Sequence, residues 1–374
     1  MIGTTLSHFK VLEKIGQTMG GNRMLSRRWF LTGSAVCLSV LQWLRPTRSY
    51  AATGDQTGGK GPRKFIDVDG IRTSYFEGGA GEDMVLVHGG HFGSPMSSAI
   101  AWTAIFPLLA AHFHVRAVDK LGMGFTDNPR GDADYSMEAT VEHIYRFMQI
   151  KGIQKVHLMG QSRGGLPVAR IAVDHPEMVK TLTIFDSNTV APGDPPPVTS
   201  DIPAFYVAGG PALNKDSIRE RLFSGLHNRD NIAAEILEEM VEEHLAVATL
   251  LKTRQAAERF DLLRSRYVEQ NRDKVLARPA LARNSGTGWW MYQVKDETLD
   301  LIRAGRLKSP TQIIWGGNDQ GAGYKLGIDL FELISPTLDR TQFHLFNHCG
   351  HHPFAEYPQE VTELLLSFIK SSST

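Results

Sequence analysis

Short apolar and β-branched runs recur along the chain from residue 65 onward, and most of them lack a polar residue at every second position. Uninterrupted runs of this length are typical of parallel strands that are buried on both faces. Residues 65–68 and 71–77 instead alternate apolar and polar positions around Asp69-Gly70, which predicts a hairpin. The buried strands are predicted at residues 84–88, 115–119, 156–160, 181–186, 311–316 and 341–347.

Helical patterns fill the intervals between these runs. They are predicted at residues 97–112, 136–151, 164–175 and 358–370, and Pro176 follows the third of them as a stop signal. Strands that alternate with helices indicate an α/β fold, in which a mostly parallel sheet carries helices on both faces.

Residues 188–307 interrupt this alternation. The stretch begins with four prolines and continues with long, charged helical patterns such as residues 231–260. We therefore predict a helical cap inserted between two strands of a core that comprises residues 53–187 and 308–374. A core of about 200 residues is large enough to bury one sizeable hydrophobic interior.

The first 52 residues have a different character. Arg27-Arg28 precedes Phe30-Leu31, an apolar stretch at 32–44 and a small-residue exit ending at Ala51. This order resembles a twin-arginine export signal, so we expect contact with the twin-arginine translocation machinery, cleavage near Ala51 and a periplasmic or secreted protein. A membrane anchor and a buried N-terminal helix are the alternatives, and Met24 is an alternative start.

Composition narrows the function further. The chain has 374 residues with 40 Lys+Arg and 40 Asp+Glu, and this zero net charge disfavours a nucleic-acid binder. Of its two cysteines, Cys37 lies in the predicted leader, so the mature chain would keep only Cys349 and no intramolecular disulfide.

The strongest chemical signal is Gly160-Gln161-Ser162-Arg163-Gly164, placed between a predicted strand and a predicted helix. A nucleophilic serine at such a sharp turn needs small residues two positions before and after it. The helix N-terminus also places unpaired N–H groups and positive dipole beneath the hydroxyl. Ser162 is therefore the candidate nucleophile, and the alternative is a glycine-rich turn with an idle serine.

A second glycine-rich loop, residues 88–93, follows the strand that ends at Val87. We expect the backbone N–H groups of Gly90 and Arg163 to form an oxyanion hole. His88 and His91 are alternative metal ligands, but a structural His88 beneath the loop is the favoured interpretation.

The C-terminal histidines provide the third signal. With the preceding motifs, Cys349-Gly350-His351 resembles the α/β-hydrolase family, in particular the hydrolases of carbon–carbon bonds in meta-cleavage products and related esterases. The resemblance implies His351 as general base, with His348 and His352 as neighbours. A zinc site formed by these three histidines is the alternative.

The same resemblance implies the acid of a triad. Asp319 follows the predicted strand 311–316 in a Trp-Gly-x-x-Asp pattern, and Asp186 competes with it because it ends another strand near the same face. Asp119 matches the family's Asp-x-x-Gly-x-Gly loop, which implies a structural role.

Two positions depart from the carbon–carbon hydrolases, which usually have Asn before the nucleophile and Trp after the histidine. Gln161 and His352 stand there instead. Those enzymes also hold the substrate carboxylate with a cap arginine, for which Arg264, Arg266 and Arg283 are available here.

On these residues we expect a serine hydrolase of esters or lactones, which acts without cofactor or metal on a small molecule. The alternative is hydrolysis of a carbon–carbon bond in a vinylogous diketone by the same residues. A non-catalytic binding module is the alternative from another class of protein, and it would normally lack one member of the triad.

Overall fold

A computed structural model describes residues 60–193, 212–271 and 288–372 of the chain. The predicted leader, the prolines at 195–197 and Arg283 lie outside these residues. No helix in the described ranges is both long enough and apolar enough to cross a membrane.

Eight strands form one sheet in the order β1-β2-β4-β3-β5-β6-β7-β8. Strand β2 runs antiparallel to β1 and β4, and the other neighbouring pairs are parallel. The predicted hairpin and the six other predicted strands are confirmed as strands. The prediction that the last of them is buried is wrong, because β8 lies at the edge of the sheet and all of its residues are partly or fully exposed. The strands are β1 Lys64–Val68, β2 Ile71–Gly78, β3 Asp83–Val87, β4 His114–Val118, β5 Val156–Gln161, β6 Val179–Phe185, β7 Thr311–Gly316 and β8 Thr341–Phe346.

Ten α-helices surround this sheet in the described part of the chain. They are α1 Phe106–Ala110, α2 Met137–Ile150, α3 Gly165–Asp174, α4 Lys215–Phe223, α5 Ala234–Thr249, α6 Leu251–Gln270, α7 Gly288–Arg303, α8 Lys325–Ile334, α9 Pro353–Glu356 and α10 Pro358–Ser372.

Two predicted helices are wrong in detail. The prediction at 97–112 is a short 3-10 turn, Ala99–Trp102, followed by α1, because Pro107 has no N–H to continue a helix and fits only its first turn. The pattern at 231–260 belongs to two helices separated by Leu250, whose backbone is extended. The Thr249 hydroxyl donates to the Ala246 carbonyl there, and such side-chain bonds compete with helical ones.

The sheet has a hydrophobic cluster on each face, because alternate residues of a buried strand point to opposite sides. Val85 and Val87 pack on the face covered by α2, α3, α7 and α8, whereas Met84 and Leu86 pack on the face covered by α1 and α10. Helices α4 and α5 of the cap join the second cluster.

The predicted boundary of the cap needs a correction at its C-terminal end. Val294 and Ile302 of α7 pack in the same cluster as α2 and α3, and Glu297 pairs with Arg170 of α3 at 3.1 Å. Helix α7 is therefore a core helix, although its amphipathic pattern resembles that of the cap helices.

A buried ionic network joins the cap to the core. The guanidinium of Arg63 lies 4.3 Å from the ring centres of both Phe76 and Phe125 and donates to Asp119 at 2.7 Å. It also donates to Glu243 of α5. Burial alone would raise the pKa of Asp119, but the Arg63 charge and two backbone N–H groups lower it below its ordinary value.

We predict that Arg63→Met lowers the free energy of unfolding by about 3 kcal/mol, because it leaves the buried Asp119 carboxylate without its cation. Chemical denaturation near pH 7 measures this loss. Arg146→Met is the matched control, since Arg146 pairs with Asp69 at the exposed surface and its loss should leave the unfolding midpoint nearly unchanged. Equal midpoint shifts in the two variants would contradict the prediction.

Candidate active site

The loop between β5 and α3 forces Ser162 into a left-handed backbone conformation with a φ of 51°. The two glycines of the motif make this turn possible. A Cβ on Gly160 would lie 2.3 Å from the Gly164 carbonyl oxygen, and a Cβ on Gly164 would lie 2.3 Å from the Val87 carbonyl oxygen. The Gly-x-Ser-x-Gly spacing is thus a packing requirement of the turn as well as a sequence signal.

Three polar side chains hold this turn in place, and only Gln161 among them was singled out from the sequence. The Ser187 hydroxyl, at the end of β6, donates to the Ser162 carbonyl at 2.6 Å, and Thr189 donates to the same oxygen at 3.3 Å. Gln161 donates its side-chain N–H to the His351 carbonyl at 3.2 Å and thereby ties the nucleophile strand to the histidine loop. The contacts of Ser187 and Thr189 could have been suggested only by the position of these residues just after the strand next to β5.

His351 lies on the loop after β8, and its Nδ1 is 2.6 Å from Asp319 Oδ2. The other oxygen of Asp319 accepts N–H bonds from Gly321 at 2.7 Å and Ala322 at 3.1 Å. Burial would raise the pKa of Asp319, but the His351 charge and these hydrogen bonds lower it. The carboxylate is thus held in the anionic form that can orient His351 and stabilise its protonated ring.

Asp186, the competing acid, lies close to this pair but has a different role in the structure. It is completely buried, and its Oδ1 accepts the Gly316 N–H at 2.8 Å. Burial and the nearby Asp319 charge raise its pKa well above the ordinary value, which favours a neutral carboxylic acid.

The predicted nucleophile, base and acid line one cavity of about 340 Å³ at the carboxyl edge of the sheet. Gly90 and Arg163, the predicted oxyanion donors, line the same cavity. Gly90 has a φ of 76°, and a Cβ there would lie 1.7 Å from Ser97 Oγ, so the loop requires glycine at this position. All five predicted site residues are therefore brought together.

The charged side chains that line this cavity are two arginines and one carboxylate, and four histidines line it beside them. Arg163 and Arg221 contribute guanidinium groups, and Asp319 is the one carboxylate among the lining residues that the structure describes. Enclosure lowers the pKa of His91 to about 3, assisted by the charges of Arg163, Lys120 and Arg221. Burial and the neighbouring His351 lower the pKa of His352 to about 3, so both of these imidazoles are neutral near pH 7.

The cap arginines considered from the sequence are not at this cavity. Arg264 and Arg266, both on α6, are absent from its lining, and Arg266 is exposed. Arg221 on α4 lines the same cavity as Ser162 instead. Its sequence context carries no motif, and only the folded cap brings it to the cavity.

The alternative metal sites do not assemble either. In the described ranges, one group of three potential ligands comes within 4.8 Å, namely Asp186, Asp319 and His351. His351 and Asp319 are already hydrogen bonded to each other, and His348 is exposed outside this group. The alternative zinc site of His348, His351 and His352 is therefore not present as a cluster.

Comparison with known proteins supports the same fold. Residues 83–358 match the family model for the alpha/beta hydrolase fold. The chain is 25% identical over 307 residues to the 2-hydroxy-6-oxo-6-(2'-aminophenyl)hexa-2,4-dienoic acid hydrolase of Metapseudomonas resinovorans. The matched region covers 82% of this chain and 90% of that protein.

Solved structures give the same result for the backbone. The 2-hydroxy-6-oxo-6-phenylhexa-2,4-dienoate hydrolase of Rhodococcus sp. strain RHA1 superposes with a TM-score of 0.62 at 21% identity, over 83% of this chain and 98% of that one. An esterase from Rhodococcus sp. ECU1013 superposes with a TM-score of 0.59 at 20% identity, over 83% and 98%. With the family model matching more than half of its length, the chain belongs to the α/β-hydrolase family.

Proposed function

We propose that this hydrolase works through a Ser162–His351–Asp319 triad without a cofactor and cleaves a carbon–carbon bond next to a ketone. The observation that carries the triad is the shared cavity, which is lined by a Ser162 in a strained backbone conformation and by a His351 already paired with the anionic Asp319. A non-catalytic binding module would have no need to maintain that strain.

In this mechanism the Ser162 hydroxyl attacks the substrate carbonyl while His351 takes its proton. The backbone N–H groups of Gly90 and Arg163 stabilise the negative oxygen that forms. His351 then returns the proton to the leaving group, which departs and leaves an acyl group on Ser162. Water attacks the acyl group with His351 again as base, and the acid product is released.

The names of the relatives favour a carbon–carbon bond over an ester, which reverses the order expected from the sequence. Relatives that match about four fifths of this chain include the dienoic acid hydrolase of Metapseudomonas and a 2-hydroxy-6-oxononadienedioate hydrolase of Cupriavidus pinatubonensis. Those substrates carry a carboxylate, and the Arg163 and Arg221 guanidinium groups fit an anion beside Ser162.

Ester hydrolysis is the second candidate, and a specific observation favours it. Gln161 and His352 replace the residues usual in carbon–carbon hydrolases, and His352 is neutral beside His351. An ester needs only the nucleophile, the base and the oxyanion donors. A carbon leaving group must in addition receive a proton on carbon, so the site must also favour the keto form of the substrate.

We expect purified mature enzyme to prefer 2-hydroxy-6-oxo-6-phenylhexa-2,4-dienoate over 4-nitrophenyl acetate by at least about a hundredfold in kcat/KM, or about 2.7 kcal/mol. Ser162→Ala and His351→Ala serve as inactive controls, which should lose turnover of both substrates while remaining folded. Full activity in either variant would overturn the triad, whereas an equal or better rate with the ester would promote ester hydrolysis.

A charge variant refines the same experiment. Arg221→Met should raise KM for the dienoate and leave ester kinetics unchanged, because only the dienoate carries a carboxylate. Arg266→Met, on the exposed surface of α6, is the matched control and should change neither substrate.

We predict that Asp319→Asn reduces kcat about 10³- to 10⁴-fold, because the amide cannot stabilise protonated His351. Asp186→Asn should change kcat less than about threefold, since an amide resembles the neutral acid that burial and Asp319 favour there. Steady-state kinetics on both folded variants measure the difference. A large loss in Asp186→Asn with a small one in Asp319→Asn would make Asp186 the acid of the triad.

We also propose that the first 52 residues direct twin-arginine export and are removed near Ala51. Arg27→Lys combined with Arg28→Lys should retain the precursor in the cytoplasm, because the paired arginines are the recognised feature. Cell fractionation with N-terminal sequencing measures this, and Arg45→Lys, which keeps the pair intact, should be processed normally. Normal export of the double variant would refute this route.

A further inference from the structure

The peptide between Gly89 and Gly90 carries the N–H group assigned to the oxyanion hole, and His88 holds its opposite side. His88 Nδ1 lies 2.7 Å from the Gly89 carbonyl oxygen, and His88 itself is buried. The C=O and N–H of a trans peptide point in opposite directions. A bond that anchors the Gly89 carbonyl in the interior therefore directs the Gly90 N–H the other way, where Gly90 lines the cavity.

Lys120 determines which nitrogen of His88 carries the proton. The backbone N–H of Lys120 donates to His88 Nε2 at 3.1 Å. A backbone N–H can only donate, so Nε2 is the acceptor and the proton resides on Nδ1, facing the Gly89 carbonyl. Burial lowers the pKa of His88 to about 3, which keeps the ring in this neutral form.

The side chain of Lys120 holds the next peptide of the same loop. Its Nζ donates to the Gly90 carbonyl at 2.9 Å, and the residue is completely buried. Burial and the nearby Arg163 charge lower its pKa well below the ordinary value. Burying an amine is costly, and the hydrogen bond found for it goes to a backbone carbonyl of the oxyanion loop.

Helix α6 closes this arrangement from the cap side. Phe260 stacks on His91 with ring centres 6.0 Å apart and packs against Phe92 at 5.5 Å. The loop at 88–93 is thus held from the core by the backbone N–H and the Nζ of Lys120, and from the cap by the aromatic contact of Phe260.

We propose that Lys120 is the positioning residue of the oxyanion hole: its backbone N–H fixes His88, its side-chain Nζ fixes the Gly90 carbonyl, and together they aim the Gly90 N–H at the cavity before substrate arrives. Hydrogen bonds accepted by a peptide carbonyl also strengthen donation by the N–H groups in the same chain of bonds. This inference rests on the proposed function, because it assumes that an oxyanion forms at Ser162.

The test compares Lys120→Met with wild type, using 4-nitrophenyl acetate as substrate and phenylboronic acid as a tetrahedral adduct of the serine. Methionine fills a similar volume without a donor. We expect kcat and boronate affinity each to fall about thirtyfold while KM changes less than threefold, since one misaimed oxyanion donor costs part of its full 10²- to 10³-fold effect. If Lys120 had only a structural role, Lys120→Met would lower thermal stability but would not selectively lower kcat and boronate affinity relative to KM.

Lys295→Met is the matched control. Lys295 is also buried, and its ammonium donates to the Asn188 and Gly193 carbonyls, away from the oxyanion loop. It should lose stability without a selective loss of boronate affinity. Boronate affinity and kcat within threefold of wild type in folded Lys120→Met would overturn the proposal, as would the same selective loss in Lys295→Met.

A measurement on the wild-type protein keeps the inference testable if Lys120→Met does not fold. Proton–nitrogen NMR of the histidine rings should find His88 protonated at Nδ1, and an Nε2 proton would overturn the proposal. Failure of the proposed function gives a different result, because Ser162→Ala would then bind phenylboronic acid as tightly as wild type.

Discussion

The left-handed turn at Ser162 is the constraint on which the rest of the site depends. A side chain with a φ of 51° is strained by about 1–3 kcal/mol, and the turn is possible only where two glycines allow close backbone approach. The Ser187 and Thr189 hydroxyls hold the serine carbonyl from the neighbouring strand end. The sheet core supplies the rigidity that this strain requires, because β5 is buried along its whole length.

The parallel sheet then explains why groups distant in sequence meet. The loops after β3, β5, β7 and β8 all leave the same edge, so the oxyanion loop, Ser162, Asp319 and His351 converge without any contact local in the chain. Antiparallel β2 lies outside this run of strands, next to β4. Cap helices α4 and α6 close the space above the edge, where Arg221 and Phe260 make their contacts.

The features that could be predicted from the sequence are those encoded locally. Buried strands, the hairpin and the serine turn depend on residues within a few positions of each other, and all were recognisable. The break at Pro107 was recognisable in principle, because proline cannot continue a helix. The core position of α7 and the placement of Arg221 depend on how distant segments pack, and periodicity contains no information on that. The dual role of Lys120 was hidden for the same reason, since its partners are about thirty residues away.

Ester and carbon–carbon hydrolysis share the acyl half of the reaction, so the proposed triad and the proposed oxyanion donors cannot distinguish them. The difference lies with the leaving group: an ester releases an oxygen that His351 can protonate, whereas a diketone releases a carbon that must be stabilised as it departs. The residues that would decide are therefore those that contact the leaving group, and the cavity offers the Arg163 and Arg221 charges and the neutral His352 for this purpose. Positive charge at Arg163 and Arg221 would attract both the carboxylate of a dienoate and the negative charge that develops during the reaction, whereas an ester without a carboxylate gains only the second of these. This asymmetry is the physical reason for placing carbon–carbon hydrolysis first.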